Sequence, residues 1–172
     1  AGSPFEGHVV QGTPFIHWST GNLGQGLSAG CGFALGAKLH EEDSHVYVLM
    51  SDGEQQKGQI AEARRFAKKF GLSNITAVID YNHIQISGNI EKVMPQNIIE
   101  NYLSDGWDVI EVNGHDHNEL YKAMKKAREI DNPVCIIANT IIGNGVSFME
   151  NTEKYHGNPL SHAEYNQAIE IL

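Results

Sequence analysis

Two polar residues, Asp52 and Asn82, each stand directly after an apolar run of the sequence. The run HVYVLMS (45–51) precedes Asp52, and the run ITAVIDY (75–81) precedes Asn82. If these runs form neighbouring strands of a parallel sheet, both side chains lie at the sheet edge where such folds bind ligands. A carboxylate and an amide oxygen are a typical partial shell for Mg²⁺ or Ca²⁺. Because Asp-Gly is also a common turn, the pairing, and not Asp52 alone, predicts a metal site.

Strand-like and helix-like segments alternate along the chain. The predicted strands are 45–51, 75–81, 107–113 and 133–140, and the predicted helices are 23–39, 59–70, 96–103, 117–130 and one beginning near Ser161. Glu164 stands three residues after Ser161, which is the spacing of a capping box. Residues 1–20 and the polar segment after Asn82 are predicted as loops. The alternation, with apolar strands, predicts a doubly wound α/β domain whose mostly parallel sheet carries helices on both faces.

The composition indicates one globular domain over residues 1–172, with 41% hydrophobic and 19% charged residues. The 12 Lys+Arg against 21 Asp+Glu give a formal net charge of −9, which argues against nucleic acid and anionic membranes as partners. No apolar run approaches the roughly 20 residues of a membrane span. Cys31 and Cys135 are interpreted as buried hydrophobes in a reducing cytoplasm. Ala1 in place of Met indicates a processed, tagged or trimmed start.

Several segments, in order along the chain, resemble the transketolase family. The segments SDGEQQKGQIAEA (51–63) and NITAVIDYNHIQISG (74–88) resemble its thiamine diphosphate signature. Upstream, GHV (7–9) and STGNLGQG (19–26) resemble its Gly-His-Pro and Thr-Gly-x-Leu-Gly-Gln-Gly stretches. Downstream, TIIGNGVSFMEN (140–151) and YHGNPLS (155–161) resemble its last two motifs. The resemblance covers nearly the whole chain and implies the N-terminal, diphosphate-binding half of a transketolase.

This resemblance implies which residues hold the metal and which serve catalysis. Asp52, Asn82 and the backbone carbonyl of Ile84 would bind the Mg²⁺ (or Ca²⁺) that bridges the diphosphate. His156 would donate to the diphosphate and face the substrate. His8 would contact substrate hydroxyls near the reacting carbon. Each histidine alone would more often be an ordinary surface residue.

The same resemblance implies contacts along the organic part of thiamine diphosphate. Gly21 and Leu23 would lie against the aminopyrimidine, and Gly53 against the diphosphate. The thiazolium would be lined by three isoleucines, Ile84, Ile86 and Ile142. By composition alone, the leucine and the isoleucines could equally be core residues.

The family also has parts that this sequence does not match. The glutamate that polarises the aminopyrimidine belongs to a pyrimidine-binding domain, which is expected on a partner subunit together with the C-terminal domain. Three local departures stand out: Ser51 replaces a glycine, Ser87 an aspartate and Lys57 a glutamate. That glutamate belongs to an acidic network between paired active sites, and Glu62 would lie at the subunit interface.

The implied function is the diphosphate-binding subunit of a split transketolase of the cytoplasmic pentose phosphate pathway. It would transfer a two-carbon ketol unit from a ketose phosphate to an aldose phosphate, as two copies of a subunit pair forming a heterotetramer. Two alternatives stay open: a related two-carbon transferase with other sugars, and a non-catalytic module of the same fold that serves protein association.

Overall fold

The computed structural model describes residues 10–172. Its elements follow one another as α1 (Gln25–Leu39), β1 (Val46–Ser51), α2 (Gly58–Lys69), β2 (Ile75–Tyr81), β3 (Ile84–Gln85), β4 (Gly88–Asn89), α3 (Ile90–Val93), α4 (Ile98–Ser104), β5 (Asp108–Asn113), α5 (His117–Ala127), β6 (Val134–Asn139) and α6 (His162–Ile171). Short 3₁₀ helices cover Gly53–Gln56 and Glu153–Tyr155. Each of the four predicted strands is present, and each predicted helix has a counterpart within a few residues.

Four parallel strands form the central sheet, in the order β1–β2–β6–β5. Helices cover both faces, which confirms the doubly wound α/β prediction. On one face, side chains of α1, α2 and α4 pack with β1, β2 and β6 in the larger core cluster. On the other face, Ala123 and Ala127 of α5 pack against Val78, Val134 and Ile136. These strand residues are mostly β-branched, which suits a sheet that is buried on both sides.

The register of the sheet decides where the two candidate metal ligands lie. Ser51, at the end of β1, is paired with Asp80 of β2. Asp52 and Asn82 therefore leave neighbouring strands at the same edge, as the sequence predicted. On the other side of β2, Tyr81 is paired with Asn139 of β6, so the chain after β6 starts at this edge too.

The helix ends follow from local chemistry. Ser161 and Glu164 form the predicted capping box at the start of α6. Helix α5 ends at Ala127, three residues earlier than predicted. The residues after it, Arg128 and Glu129, form tighter i→i+3 hydrogen bonds instead of continuing the α-helix.

The segment after Asn82 is more ordered than the predicted loop. It contains the antiparallel hairpin β3–β4 and the short helix α3. Strands of two residues are too short to produce a periodic pattern in the sequence.

Cys31 and Cys135 are buried and unpaired, as predicted. Within residues 10–172, no helix combines the length and the apolar character needed to cross a membrane.

Candidate active site at the carboxyl edge of the sheet

Asp52 is fully buried at the end of β1, with none of its surface exposed. Its Oδ1 accepts a hydrogen bond from Gly53 N–H at 2.6 Å, and its Oδ2 accepts from the N–H groups of Asn82 at 3.0 Å and His83 at 2.5 Å. Burial raises the pKa of Asp52 above its ordinary value, while the three backbone donors act in the opposite direction. A carboxylate therefore ties the end of β1 directly to the loop after β2.

Asn82 is fixed by contacts on both ends of its amide. Its Nδ2 donates to Asp80 Oδ2 at 3.2 Å, and its Oδ1 accepts from Ile84 N–H at 2.9 Å. Thr140, just after β6, donates its hydroxyl hydrogen bond to the other oxygen of Asp80. Because a carboxylate only accepts, Asp80 forces the amide nitrogen of Asn82 toward itself and the amide oxygen away.

The side-chain oxygens of Asp52 and Asn82 suit a hard divalent cation that takes its remaining ligands from a molecule bound together with it. An ionised carboxylate has about four lone-pair sites, and backbone donors use three of those on Asp52. One lone pair of Asp52 thus has no backbone donor, and the loop that binds the carboxylate through the Asn82 and His83 N–H groups also carries the amide oxygen of Asn82. Residues 10–172 contain no group of three or more His, Cys, Asp or Glu side chains suited to a metal. Such a cation would need additional oxygens, which a diphosphate can supply.

A cleft of about 910 Å³ opens beside Asn82 and Ile84, between the loop after β2 and the loop after β6. Its lining combines polar and apolar surface and includes Asn82, Ile84, Asn89, Thr140 and Asn151. The cleft thus lies at the carboxyl ends of the two central strands, where ligands bind in this class of fold.

The remaining predicted residues of the cofactor site lie on four separate segments of the chain. Gly53 begins the 3₁₀ helix after Asp52, and Ile84 is buried in β3. Ile86 lies at the tip of the β3–β4 hairpin with 74% of its surface exposed, while Ile142 is half-buried. Gly21 and Leu23 lie in the loop before α1, and Leu23 is 51% exposed. Hydrogen bonds join Asp52 to Gly53 and Asn82, and Asn82 to Ile84, whereas Gly21, Leu23, Ile86 and Ile142 lie on separate loops.

Of the two predicted catalytic histidines, only His156 lies among the residues that the structure describes. His8 lies outside the described residues. His156 is half-buried at the end of the second 3₁₀ helix, where its backbone N–H donates to the Glu153 carbonyl at 2.9 Å. Among residues 10–172, no side chain forms a hydrogen bond with the His156 ring. The structure therefore locates His156 on the loop after β6 without assigning it a partner.

The loop that carries Ile142 and His156 is held by its own contacts. Gly143 has a φ of +72°, and a Cβ there would lie 2.7 Å from the backbone of Met149, so only glycine fits. Farther along, Lys154 Nζ donates to Glu164 Oε1 at 2.6 Å. Tyr155 donates to the same oxygen at 2.9 Å, so α6 anchors the segment that precedes His156.

Four residues with structural roles at this edge were not predicted from the sequence: Glu54, Gln59, Asp80 and Thr140. Glu54 is a buried carboxylate that accepts from Gly24 N–H at 2.6 Å. Asp80 could have been suspected, because it is the one charged residue of the apolar run 75–81. Glu54 and Thr140 lack such a signal, since their partners lie 30 and 60 positions away in the sequence.

Lys57 and Glu62, which the family resemblance associated with a subunit interface, are both exposed to solvent in the single chain. No ion pair of Lys57 with another of the described residues 10–172 is present. An exposed lysine needs no buried counter-ion, so the departure at position 57 costs the isolated chain no burial of charge.

Comparisons with known proteins agree with this geometry. A family model described as "Transketolase, thiamine diphosphate binding domain" matches residues 1–172. An apulose-4-phosphate transketolase subunit from Phocaeicola vulgatus is 39% identical to the chain over 173 residues, covering 98% of the chain and 60% of that relative. Human transketolase is 36% identical over 175 residues, covering 99% of the chain and 27% of the human protein.

Solved structures give the same result for the fold. Transketolase from Campylobacter jejuni superposes with a TM-score of 0.82 at 34% identity, covering 88% of this chain and 25% of that one. Transketolase from Leishmania mexicana superposes with a TM-score of 0.81 at 30% identity, covering 91% of this chain and 25% of that one. The chain therefore spans 60% of the Phocaeicola vulgatus relative and about a quarter of these longer transketolases.

Proposed function

Because the chain belongs to the transketolase family, as a thiamine diphosphate-binding domain, we propose that it binds thiamine diphosphate together with Mg²⁺. The observation that carries this proposal is the buried carboxylate of Asp52, which is hydrogen-bonded to the backbone of Asn82 and keeps one lone pair without a backbone donor. A buried charge without a cationic partner is unfavourable, so a bound divalent cation would give Asp52 the counter-charge that it lacks.

Asp52, Asn82 and the Ile84 carbonyl would hold the cation, with Ca²⁺ as an alternative to Mg²⁺. Gly53 would lie against the diphosphate. Leu23 and Gly21 would contact the aminopyrimidine, and the three isoleucines Ile84, Ile86 and Ile142 would line the thiazolium. The exposed positions of Leu23 and Ile86 support these contacts, because a ligand or partner would cover apolar surface that now faces solvent.

We propose ketol transfer between sugar phosphates as the activity: a two-carbon unit leaves a ketose phosphate and joins an aldose phosphate. Thiamine diphosphate, when bound, supplies the nucleophilic carbon and the electron sink for this chemistry. His156 would donate a hydrogen bond to the diphosphate and, with His8, would move protons at sugar hydroxyls. A neutral imidazole can donate or accept near pH 7, which suits this role.

We further propose that the chain works as one subunit of a divided transketolase. The relative from Phocaeicola vulgatus, whose name describes one subunit of a transketolase, supports this division. A partner chain with the pyrimidine-binding and C-terminal domains would supply the acidic group for the aminopyrimidine, and two such pairs would form a heterotetramer. The diphosphate-binding domain would then comprise residues 1–172, working in the pentose phosphate pathway in the cytoplasm.

The division can be tested by assaying ketol transfer with xylulose 5-phosphate and ribose 5-phosphate. We expect no turnover by the purified chain alone, and turnover after mixing with a pyrimidine-domain transketolase subunit in the presence of Mg²⁺ and thiamine diphosphate. Turnover by the chain alone, in a preparation free of other transketolases, would exclude the need for a partner. Mixing with Asp52→Asn in place of the parent chain is the matched negative control.

A further inference from the structure

A single peptide group, between Leu23 and Gly24, is held from both sides by side chains of the segment after Asp52. The Gly24 N–H donates to Glu54 Oε1 at 2.6 Å, and the Leu23 carbonyl accepts from Gln59 Nε2 at 3.0 Å. The two ends of one peptide plane are therefore fixed by two different residues. A peptide plane held at both its N–H and its C=O cannot rotate without breaking a hydrogen bond.

The Glu54 end of this arrangement is itself rigid. Glu54 is buried, and its second oxygen accepts from Ser51 N–H at 3.2 Å, directly before Asp52. Its own N–H donates to Ser51 Oγ at 3.2 Å. Within residues 10–172 no lysine, arginine or histidine is ion-paired with Glu54. Its charge is thus satisfied by backbone donors, and one of these comes from the loop before α1.

Gly24 is the residue that lets the two segments come this close. Its φ is +92°, and a Cβ at this position would lie 2.8 Å from Lys57 Cβ and 2.7 Å from Gln59 Nε2. Both the backbone conformation and the space therefore require glycine. The result is that the loop carrying Leu23 is attached to the loop carrying Asp52, although the bonded residues Gly24 and Glu54 are 30 positions apart in the sequence.

We propose that Glu54 and Gln59 are positioning residues: by holding the Leu23–Gly24 peptide, they present the exposed Leu23 side chain to the aromatic part of thiamine diphosphate. This inference rests on the proposed function. It assigns the binding of the two halves of thiamine diphosphate to different residues. Asp52 and its neighbours hold the metal and the diphosphate, whereas Gln59 acts only on the half that lacks phosphate and Glu54, which also binds Ser51 N–H, acts mainly on that half.

The test compares two probes, thiamine diphosphate and inorganic pyrophosphate, each titrated with Mg²⁺ into the full chain by calorimetry. A neutral hydrogen bond contributes about 0.5–1.5 kcal/mol, so Gln59→Leu should weaken thiamine diphosphate binding about two- to tenfold. Glu54→Gln, which removes a charged acceptor, should weaken it about tenfold or more. Pyrophosphate binding should change less than about twofold in Gln59→Leu, and it should weaken less than thiamine diphosphate binding in Glu54→Gln, because Glu54 also accepts from Ser51 N–H. Gln167→Leu, at an exposed position of α6, is the matched control and should bind both probes like the parent.

A second measurement examines the peptide without any ligand. Amide hydrogen exchange at Gly24, followed by NMR on the ¹⁵N-labelled chain, should accelerate about tenfold in Glu54→Gln and stay unchanged in Gln167→Leu. Unchanged exchange at Gly24 in Glu54→Gln would overturn the inference. Equal weakening of both probes would also overturn it, since that pattern indicates a general structural defect.

The same titrations separate this inference from the proposed function. If the parent chain binds thiamine diphosphate no more tightly than pyrophosphate, Leu23 contributes nothing to the ligand and the inference fails while the metal and diphosphate site stands. If the parent binds neither probe, the proposed function fails and the inference falls with it. Tighter binding of thiamine diphosphate by the parent, lost selectively in Gln59→Leu and Glu54→Gln, supports both.

Discussion

Replacing Asp52 should have two separable effects, one on folding and one on the metal. The carboxylate is fully buried and accepts from three backbone N–H groups, those of Gly53, Asn82 and His83. In Asp52→Ala all three donors lose their acceptor. In Asp52→Asn the amide oxygen can keep the donors of Asn82 and His83, so one hydrogen bond is lost, while the negative charge needed by a cation is lost in both variants.

The magnitude follows from the number of donors left without a partner. A buried donor that loses its acceptor costs about 1–3 kcal/mol, and the three donor residues are half-buried, so water can replace part of the loss. We therefore expect the free energy of unfolding to fall by about 3 kcal/mol in Asp52→Ala and about 1 kcal/mol in Asp52→Asn. For a chain of this size, these values correspond to Tm decreases of about 6–12 °C and 2–4 °C.

Urea unfolding and thermal scans of the two variants measure the first effect, and Mg²⁺-dependent pyrophosphate binding measures the second. Both variants should lose the metal-dependent binding to a similar extent, although their stabilities differ. Equal stability of Asp52→Ala and the parent would refute the role of Asp52 in joining β1 to the loop after β2. Retained binding in Asp52→Asn would refute its role as the charged metal ligand.

Three further predictions concern the surrounding loops and the partner surface. Gly143→Ala should lower the Tm by several degrees, because the new Cβ meets the Met149 backbone at about 2.7 Å; differential scanning calorimetry measures this, and an unchanged Tm would contradict it. Hydrogen bonds from Lys154 and Ser161 lower the pKa of Glu164 to about 2. Since this pKa is depressed from 4.5, the anchoring of α6 should persist above pH 4.5 and be lost as the pH falls through about 2; a carboxyl ¹³C titration that gives an ordinary glutamate pKa would contradict this. Lys57→Ala should weaken association with a pyrimidine-domain subunit up to about fivefold, and by less at high salt. Sedimentation of the parent and the variant at two ionic strengths measures this effect. Equal association of the parent and the variant at both ionic strengths would exclude a role for the Lys57 charge.

Local sequence patterns were sufficient for the elements that bury apolar side chains over a full strand or several helical turns. Strand β2 occupies the predicted residues 75–81, and the capping box of Ser161 and Glu164 begins α6 as its spacing indicated. The pairing of Asp52 with Asn82 also followed from the sequence, because it needs only two adjacent parallel strands. Short elements such as the β3–β4 hairpin could not be predicted, since two residues define no period.

The contacts that shape the site depend on chain segments that are distant in the sequence. From the sequence, Asp52 follows a strand at a cleft edge, and nothing local indicates that its side chain is fully buried. The bonds of Glu54 to Gly24 and of Thr140 to Asp80 likewise join separate loops. Such contacts are products of the sheet order β1–β2–β6–β5, which brings those loops to one edge.

The dependence of thiamine diphosphate binding on the metal tests the proposed function most directly. In a calorimetric titration of the parent chain, thiamine diphosphate should bind in the presence of Mg²⁺, and the affinity should fall at least about 100-fold when EDTA removes the metal. A loss of that size corresponds to about 2.7 kcal/mol, as expected when a buried carboxylate and a diphosphate face each other without a cation between them. The same affinity with Mg²⁺ and with EDTA would contradict the assignment of Asp52 and Asn82 as a metal site.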